Sequence, residues 1–500
     1  MQKGSDVAAL ASAWIDSGAV VEKIYIPKYY GLTVAKQLED LQSTHDLYTV
    51  RDLVDQGSIT VSTGHEVGKA AYGTGDIPFV RTSDIANWEI KAAPKQGVSQ
   101  EIYDAYAPRQ NVRVGDILFV RDGTYLIGRN CFITDVDRDI VLQSHVLKIQ
   151  VLPHSPLSPE LLFLAFNAPI VQTQVRSKQF TADIIDTLGS RFYELVIPIP
   201  KSAQIRANLG AETANALAVR SHGKALIQHM PDLIEEVLET GDSSRLTKFV
   251  DLNSSERSKL LTQRAVTSEF GQFTHFWRQS DVVNGMIYLP KYYDVNIAAE
   301  LASLEETCEL RTIGELIDSG ELEVTSGDEP GKAVYGTGDI PFLRTSDFTN
   351  WEVAGDPKQG VSESVYDEYA QKQSLQNLDV LLVRDGTYLV GSSCIVTHHD
   401  AKALFCGGLL RFRVTGGTLS PYLLLALLNS YIVKRQLRSK QFTRDVIDTL
   451  GLRYREVILP VPNSIAVRTA LADAVEQTVQ SRIEARQTIR RLSDELAPVA

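Results

Sequence analysis

The residues of this chain with the clearest capacity for chemistry are cations set beside an amide and an aromatic ring. Lys434-Arg435 lead into Arg438-Ser-Lys440-Gln441-Phe-Thr-Arg444, and Arg176-Ser-Lys178-Gln179-Phe-Thr repeats the central run. Guanidinium and ammonium groups neutralise phosphates, and a glutamine amide can pair bidentately with an adenine edge. Val-Arg121-Asp-Gly-Thr124-Tyr125 and Val-Arg384-Asp-Gly-Thr387-Tyr388 each offer a cation, a hydroxyl and an aromatic ring from one tight turn. Arg81-Thr-Ser83-Asp and Arg344-Thr-Ser346-Asp do something similar. These are the candidate nucleic-acid contacts. The competing reading of each is a turn that serves the fold.

No catalytic constellation accompanies them. Gly73-Thr-Gly75-Asp-Ile-Pro is an incomplete dinucleotide fingerprint, and no helix starts cleanly at Ile-Pro, so it reads as a turn. A Walker lysine motif and a Gly-x-Ser-x-Gly elbow are both missing. Asn167-Ala-Pro-Ile170 approaches the Asn/Asp-Pro-Pro-aromatic tetrapeptide of an amino-methyltransferase, but lacks the ring that would stack on a flipped base. Cys394, His398, His399 and Cys406 are close enough to suggest zinc. Their counterparts elsewhere in the chain (Cys131, Asp135, Val136, Gln143) could not hold it. Asp183/Asp186 and Asp445/Asp448 sit at i, i+3 beside cations, where caps or ion pairs explain them as well as acid–base work.

Those counterparts exist because the chain is a duplication. Tyr25-Ile-Pro-Lys-Tyr-Tyr30 recurs as Tyr288-Leu-Pro-Lys-Tyr-Tyr293 at an offset of 263 residues. At that offset Tyr72–Gly128 and Tyr335–Gly391 share 36 identities in 57 positions, and Trp14 meets Trp277. After the loss of one residue, Ile185-Asp-Thr-Leu-Gly189 matches Ile447–Gly451. Each copy begins rich in β-branched and aromatic residues with Asp-Gly punctuation, predicting strands and turns. Leu161–Lys178 and Tyr422–Lys440 have helical spacing. Strands and helices do not alternate in a βαβ rhythm, so the expected class is mixed α/β (α+β) rather than a doubly wound sheet.

Each copy ends, after a Pro-x-Pro exit, in a long helix opened by a serine cap. Ser202–Glu239 carries Ile205, Leu209, Ala216, Val219, Gly223, Leu226, Met230, Ile234 and Val237 on one stripe. Ser464–Leu496 carries Val467, Leu471, Val475, Val479, Ile483, Ile489, Leu492 and Leu496. Steps of three and four sustained this long predict a coiled-coil seam. The two helices are expected to pair with each other, and Pro231 to kink or break the first. The expected division is a globular domain at 1–200, a helix at 201–240, a linker at 241–272 with one short helix at Ser255–Glu269, a second domain at 273–462 and a second helix at 463–500.

The composition is ordinary for a water-soluble protein: 500 residues, 44% hydrophobic, 22% charged, mean hydropathy −0.09. The longest apolar run worth testing, Pro421–Val433, is too short to span a membrane, and no signal peptide is expected. Four cysteines are too few for a disulfide framework. A cytoplasmic protein without membrane contact is therefore expected. A net charge of −12 excludes a protein that coats polyanions by bulk charge.

Taken together, the duplicated α/β domains and their long helices resemble the specificity (S) subunit of type I restriction–modification enzymes. Gly75-Asp-Ile-Pro-Phe-Val-Arg-Thr-Ser-Asp84, Gly338–Asp347, the Gly115-Asp-Ile-Leu-Phe-Val strand and the Ile-Pro-Ile-Pro exit carry the resemblance. It departs from the family at the helix entrances, which read Lys201-Ser-Ala-Gln204 and Asn463-Ser-Ile-Ala466 in place of Pro-Leu-x-Glu-Gln. The Gln-Phe-Thr-x-x-Ile/Val-Ile-Asp-Thr-Leu-Gly segment is also unusual, and together these suggest a divergent branch.

The resemblance implies that each globular part is a target-recognition domain reading one half of a bipartite double-stranded DNA site. It implies that the helices pack antiparallel about a pseudo-twofold, set the spacing of the halves, and dock methyltransferase subunits, expected to number two. Those partners would bind S-adenosylmethionine and methylate adenine. A motor–nuclease (restriction) subunit can join them, and this chain itself would hold no cofactor and no catalytic site. Other readings are a DNA-recognition subunit of another phage-defence system, a nuclease with an unrecognised site, or an assembly scaffold. Differences between half-sites are expected to be read where the copies diverge, at Arg129–Ser158 against Ser392–Ser420 and Lys91–Ala93 against Ala354–Asp356. Val20–Pro200 holds 17 basic and 21 acidic residues, and Ile287–Pro462 holds 17 and 24, so partners must supply much of the DNA affinity.

Overall fold

The computed structural model describes residues 20, 24–123, 125–137, 139–182, 185–252, 287–386, 388–444 and 447–498. The Trp14/Trp277 match, Asp183, Asp445 and the helix expected at Ser255–Glu269 lie outside them. The chain is mixed α/β, built of many helices and small sheets. It divides into two compact units: Met1–Glu89 with Gln96–Ala216 and Gln487–Ala500, and Ile90–Lys95 with Leu217–Arg486.

In the first unit, an antiparallel sheet runs in the order Ile59–Thr63, Val146–Val151, Ile117–Val120, Asn130–Phe132. Ile117–Val120 is buried at all four positions, as expected of a strand covered on both faces. A second sheet sets Ile77–Val80 between Gly97–Val98 and, in parallel, Val141–Leu142. The Gly73-Thr-Gly75 segment enters this sheet as a turn: Gly73 has φ +73°, and a Cβ on Gly75 would lie 2.6 Å from the Val98 carbonyl oxygen. His45–Thr49 pairs with the exit strand Val196–Pro200, and His45 Nε2 lies 2.7 Å from the Leu496 carbonyl oxygen in the last turn of a long helix.

The second unit repeats this topology. Its four-stranded order is Leu322–Ser326, Leu409–Val414, Val380–Val383, Ser393–Ile395. Its three-stranded sheet sets Ile340–Leu343 between Gln359–Val361 and parallel Leu404–Phe405. Cys308–Thr312 pairs with the exit strand Ile458–Pro462. Leu423–Leu428, strand residues such as Phe412, and both long helices contribute to one apolar core. A helix at Ser244–Asp251 adds Leu246, Phe249 and Val250 to it.

Two helical expectations need correction. Each run read as one helix is two: Pro159–Asn167 then Pro169–Lys178, and Pro421–Asn429 then Tyr431–Ser439. Pro169 forces Ala168 into extended geometry (ψ 137°). In the other copy Ser430 turns out of the helix and caps the next one, its hydroxyl accepting from Val433 N at 3.4 Å. Pro231, by contrast, breaks nothing: the helix is continuous over Ala203–Thr240. Met230, Leu233 and Ile234 around it are buried, and that packing outweighs the lost hydrogen bond.

The second long helix spans Ile465–Leu496. Both apolar stripes are buried except at Ile205 and Val219. Near Val219 the buried position belongs to Arg220 instead. In the second unit Arg220 and Arg482 each donate from Nη1 to the other's backbone carbonyl, at 3.0 and 3.1 Å. Arg482 lies 2.7 Å from the carboxylate of Glu352, with both side chains fully buried. Arg220 and Arg486 approach the same carboxylate at 3.5 and 3.6 Å, and Arg486 also meets Asp400 at 3.0 Å. Three guanidinium groups thus share two carboxylates in the interior. A Cβ on Gly223 would lie 2.5 Å from Cγ of Arg482, so glycine is needed to seat that side chain.

Candidate nucleic-acid interface

The cation-rich runs end in a small antiparallel hairpin, Phe180–Ala182 with Ile185–Thr187, and its twin Phe442–Arg444 with Ile447–Thr449. The Arg-Asp-Gly loop is tied to it. Gly123 N donates to Asp186 O at 2.9 Å, Leu188 N donates to Arg121 O at 3.1 Å, and Asp122 bridges to Thr187. In the second unit Gly386 N, Leu450 N and the Asp385–Thr449 bridge repeat these bonds.

Asp122 is the knot. Its Oδ2 accepts from Arg121 Nε and Nη2 at 3.0 and 2.8 Å and lies 2.9 Å from His145 Nδ1, while the Thr187 hydroxyl donates to Oδ1. Burial alone would raise its pKa, but the bonds from Arg121, Thr187 and His145 together hold it below the usual aspartate range. In the second unit Arg384 donates to Asp385 and to the Gly407 carbonyl, and Thr449 donates to Asp385. His145 falls in the divergent stretch Arg129–Ser158; its counterpart is Gly408, whose Cβ position lies 3.6 Å from Cβ of Asp385. The sequence singled out the stretch but not this residue.

The glutamines face inward. Gln179 is 8% exposed, and its Nε2 donates to Asp186 Oδ2 at 2.8 Å; Gln441 Nε2 donates to Asp448 at 2.7 Å. Thr181 and Thr443 donate to the same carboxylates. These bonds, threonine's first, hold Asp186 and Asp448 below the usual range. Lys178 pairs with Glu194 at 2.9 Å and lies 4.2 Å from the Tyr29 ring centroid; Lys440 pairs with Glu456 at 3.1 Å, 4.5 Å from Tyr292. Arg191 and Arg453 donate to the backbone of Lys178 and Lys440.

Arg81 and Arg344 start turns in which their backbone N–H donates to Asp84 and Asp347, and their guanidinium groups lie over Tyr72 and Tyr335. Ser83, Ser346, Tyr125, Tyr388, Arg176, Arg435 and Arg438 are exposed. Arg435 pairs with Glu300, Arg176 donates to Gln179 at 3.4 Å, and Lys95 lies 4.3 Å from the Tyr388 ring centroid. Lys434 is half-buried; burial, helped by the Arg438 charge, pulls its ammonium down to about 8. Thr124 and Thr387 lie outside the described residues, as does the side chain of Arg444.

Asn167 is a packing residue: it accepts from Trp88 Nε1 at 2.9 Å and exchanges bonds with Asn130. Cys394 and Cys406 are buried in an apolar cluster. Among the described residues no three His, Cys, Asp or Glu side chains converge on a metal position, and no helix is long and apolar enough to cross a membrane.

The low carboxylate pKa values predict how the hairpin responds to acid. A folded pKa below the unfolded one stabilises above the unfolded value and is lost as pH falls through the folded value. The hairpins should therefore stay docked from neutral pH through the ordinary aspartate range and undock only below it. Amide NMR shifts of Phe180–Ala182 and Ile447–Thr449 followed during acidification check this; undocking near neutral pH would contradict it.

No protein-family model matches the chain, and no curated protein matches it in sequence. It is similar to solved structures. One is the S subunit of a type I restriction–modification system from M. genitalium: 12% identity over 91% of this chain and 95% of that one, TM-score 0.34. Another is the HsdS subunit from Thermoanaerobacter tengcongensis: 15% identity over 92% and 96%, TM-score 0.26. A third comes from work on assembly and conformational transition of the type I system: 14% identity over 91% and 96%, TM-score 0.26.

Proposed function

We propose that this chain is the DNA sequence-specificity subunit of a type I-like restriction–modification complex, without catalysis of its own. The observation that carries the reading is one loop-and-hairpin site built twice with nearly the same bonds, once in each copy of a duplicated domain. In this reading the globular parts at 1–200 and 273–462 read the two halves of a bipartite target. The exposed Ser83, Ser346, Tyr125, Tyr388, Arg176, Arg435 and Arg438 would lie at the DNA. Arg81, Arg121, Lys178, Gln179, Arg344, Arg384, Lys440 and Gln441 would hold the loops in shape, and Thr124, Thr387, Lys434 and Arg444 complete the candidate set.

The long helices pair antiparallel about a pseudo-twofold and set the distance between halves. Support comes from Arg220 and Arg482, which occupy equivalent positions in the repeat and exchange the same hydrogen bond, as residues on a twofold axis do. Further along, Glu212 meets Arg491 at 3.0 Å, so residue numbers fall on one helix as they rise on the other. Two methyltransferase subunits carrying S-adenosylmethionine would dock on this frame in the cytoplasm, with a restriction subunit joining them.

Co-expression with the cognate methyltransferase in a methylation-free host, followed by genome-wide mapping of methyladenine, tests the reading. The expected result is an interrupted motif whose halves are similar and inverted. Absence of methylation that depends on this chain would overturn the function, and unrelated halves would overturn the pseudo-twofold reading of the target.

A further inference from the structure

Large apolar side chains exposed to solvent recur at equivalent positions of the two copies in three places. Tyr25 and Tyr288 are 78% and 77% exposed, Ile26 and Leu289 38% and 41%, Tyr125 and Tyr388 48% and 68%. The first two pairs belong to Tyr-Ile/Leu-Pro-Lys-Tyr-Tyr, a segment to which the candidate contacts above assign no role.

That segment is held against the hairpin. Pro27–Tyr30 forms a short 3-10 turn, and Lys28 Nζ donates to the Gln179 carbonyl at 2.6 Å. Tyr29 donates to Glu194 at 2.5 Å, and its ring lies 5.9 Å from that of Phe180. Pro290–Tyr293 repeats the turn, with Tyr292 donating to Glu456 and lying 6.0 Å from Phe442. The Arg-Asp-Gly loop bearing Tyr125 or Tyr388 is bonded to the same hairpin. Exposed rings and an exposed lysine are thus fastened to one support, with Arg176 or Arg438 exposed nearby in sequence.

We propose that Tyr25-Ile26-Pro27-Lys28 and Tyr288-Leu289-Pro290-Lys291 are sequence-independent clamps on the sugar–phosphate backbone of duplex DNA. Lysine would neutralise a phosphate, and the tyrosine and its aliphatic neighbour would pack against sugars at the groove edge. Holding a lysine beside apolar surface suits a polyanion with apolar sugars. The chemistry is the same in both copies, so it positions each reader without distinguishing half-sites. The proposal rests on the DNA-reading function.

The test measures the full chain on a random-sequence DNA duplex at low salt, alone and with its methyltransferase partner, across a salt titration. K28Q/K291Q is expected to weaken binding about ten-fold and to flatten the salt dependence by roughly two ions. Y25S/Y288S is expected to weaken it by about ten-fold with the salt slope unchanged. Y25S/Y288S should melt like the parent, since those rings are exposed, and K28R/K291R, which keeps the charge and a donor for the Gln179 carbonyl, should bind DNA like the parent. Parent binding with unaffected variants would overturn the clamp alone. A parent that binds no duplex in either form would overturn the DNA reading with it. Variants that lose the methyltransferase while keeping DNA affinity would overturn the clamp in favour of a protein-docking role.

Discussion

Replacing Glu352 by alanine is expected to destabilise the second unit by about 3–5 kcal/mol, because three buried guanidinium groups then lose their shared counter-charge. Arg482 sits against that carboxylate with no exposure, and Arg220 and Arg486 are within 3.6 Å. Asp400 reaches Arg486 and could not replace it for the other two. For a unit of this size the thermal midpoint should fall by roughly 10 °C. E352M/R482M should recover part of the loss, since removing a charge with its partner leaves less uncompensated charge in the interior. Calorimetry of the parent, E352M, R482M and E352M/R482M closes the cycle. A Glu352→Ala midpoint equal to the parent's would show that Glu352 is not the balancing charge of the three arginines.

The second large effect concerns the loop–hairpin junction. D122A/D385A removes the acceptor that joins the arginine, the hairpin threonine and, in the first unit, His145. Hydrogen bonds to a charged partner are worth about 1.5–3 kcal/mol each, so the loop should separate from the hairpin while the sheets below stay folded. Amide exchange at Gly123 and Gly386, which donate across that junction, should lose protection by about ten-fold or more. Under the proposed function, discrimination between the methylation target and a scrambled duplex should fall at least as far, because the exposed tyrosines then have no fixed position. D122N/D385N keeps an oxygen for the threonine and should lie between. Unchanged exchange together with unchanged discrimination would remove the loop–hairpin junction from the proposed reading site.

The duplication, the strand-rich first part of each copy and the two long helices are all legible in the linear chain. Each is a local property: identity at a fixed offset, alternation and Asp-Gly turns for strands, three-and-four spacing for helices. The serine caps held as well, with Ser202 accepting from Ile205 N and Ser464 from Val467 N, each at 3.4 Å.

Partnership between distant residues was not legible. Gln179 and Gln441 have the amide that reads an adenine edge, yet whether it faces a base or an aspartate depends on a hairpin that brings Asp186 and Asp448 back across the strand. Val219 lies on the periodic stripe, but Arg220 takes the interior, because Arg482 and a carboxylate 132 positions further along the chain, Glu352, are there to meet it. Pro231 should stop a helix by local rules, and packing overrides it. Tyr25, Ile26 and Lys28 looked like no more than a marker of the repeat until the fold set them on the hairpin. The sequence by itself determined the elements and their repetition, since backbone preference and hydrophobic period act over a few residues. Which polar groups are satisfied within the protein and which remain at the surface was settled by the tertiary structure, because that depends on partners brought together from far apart in the chain.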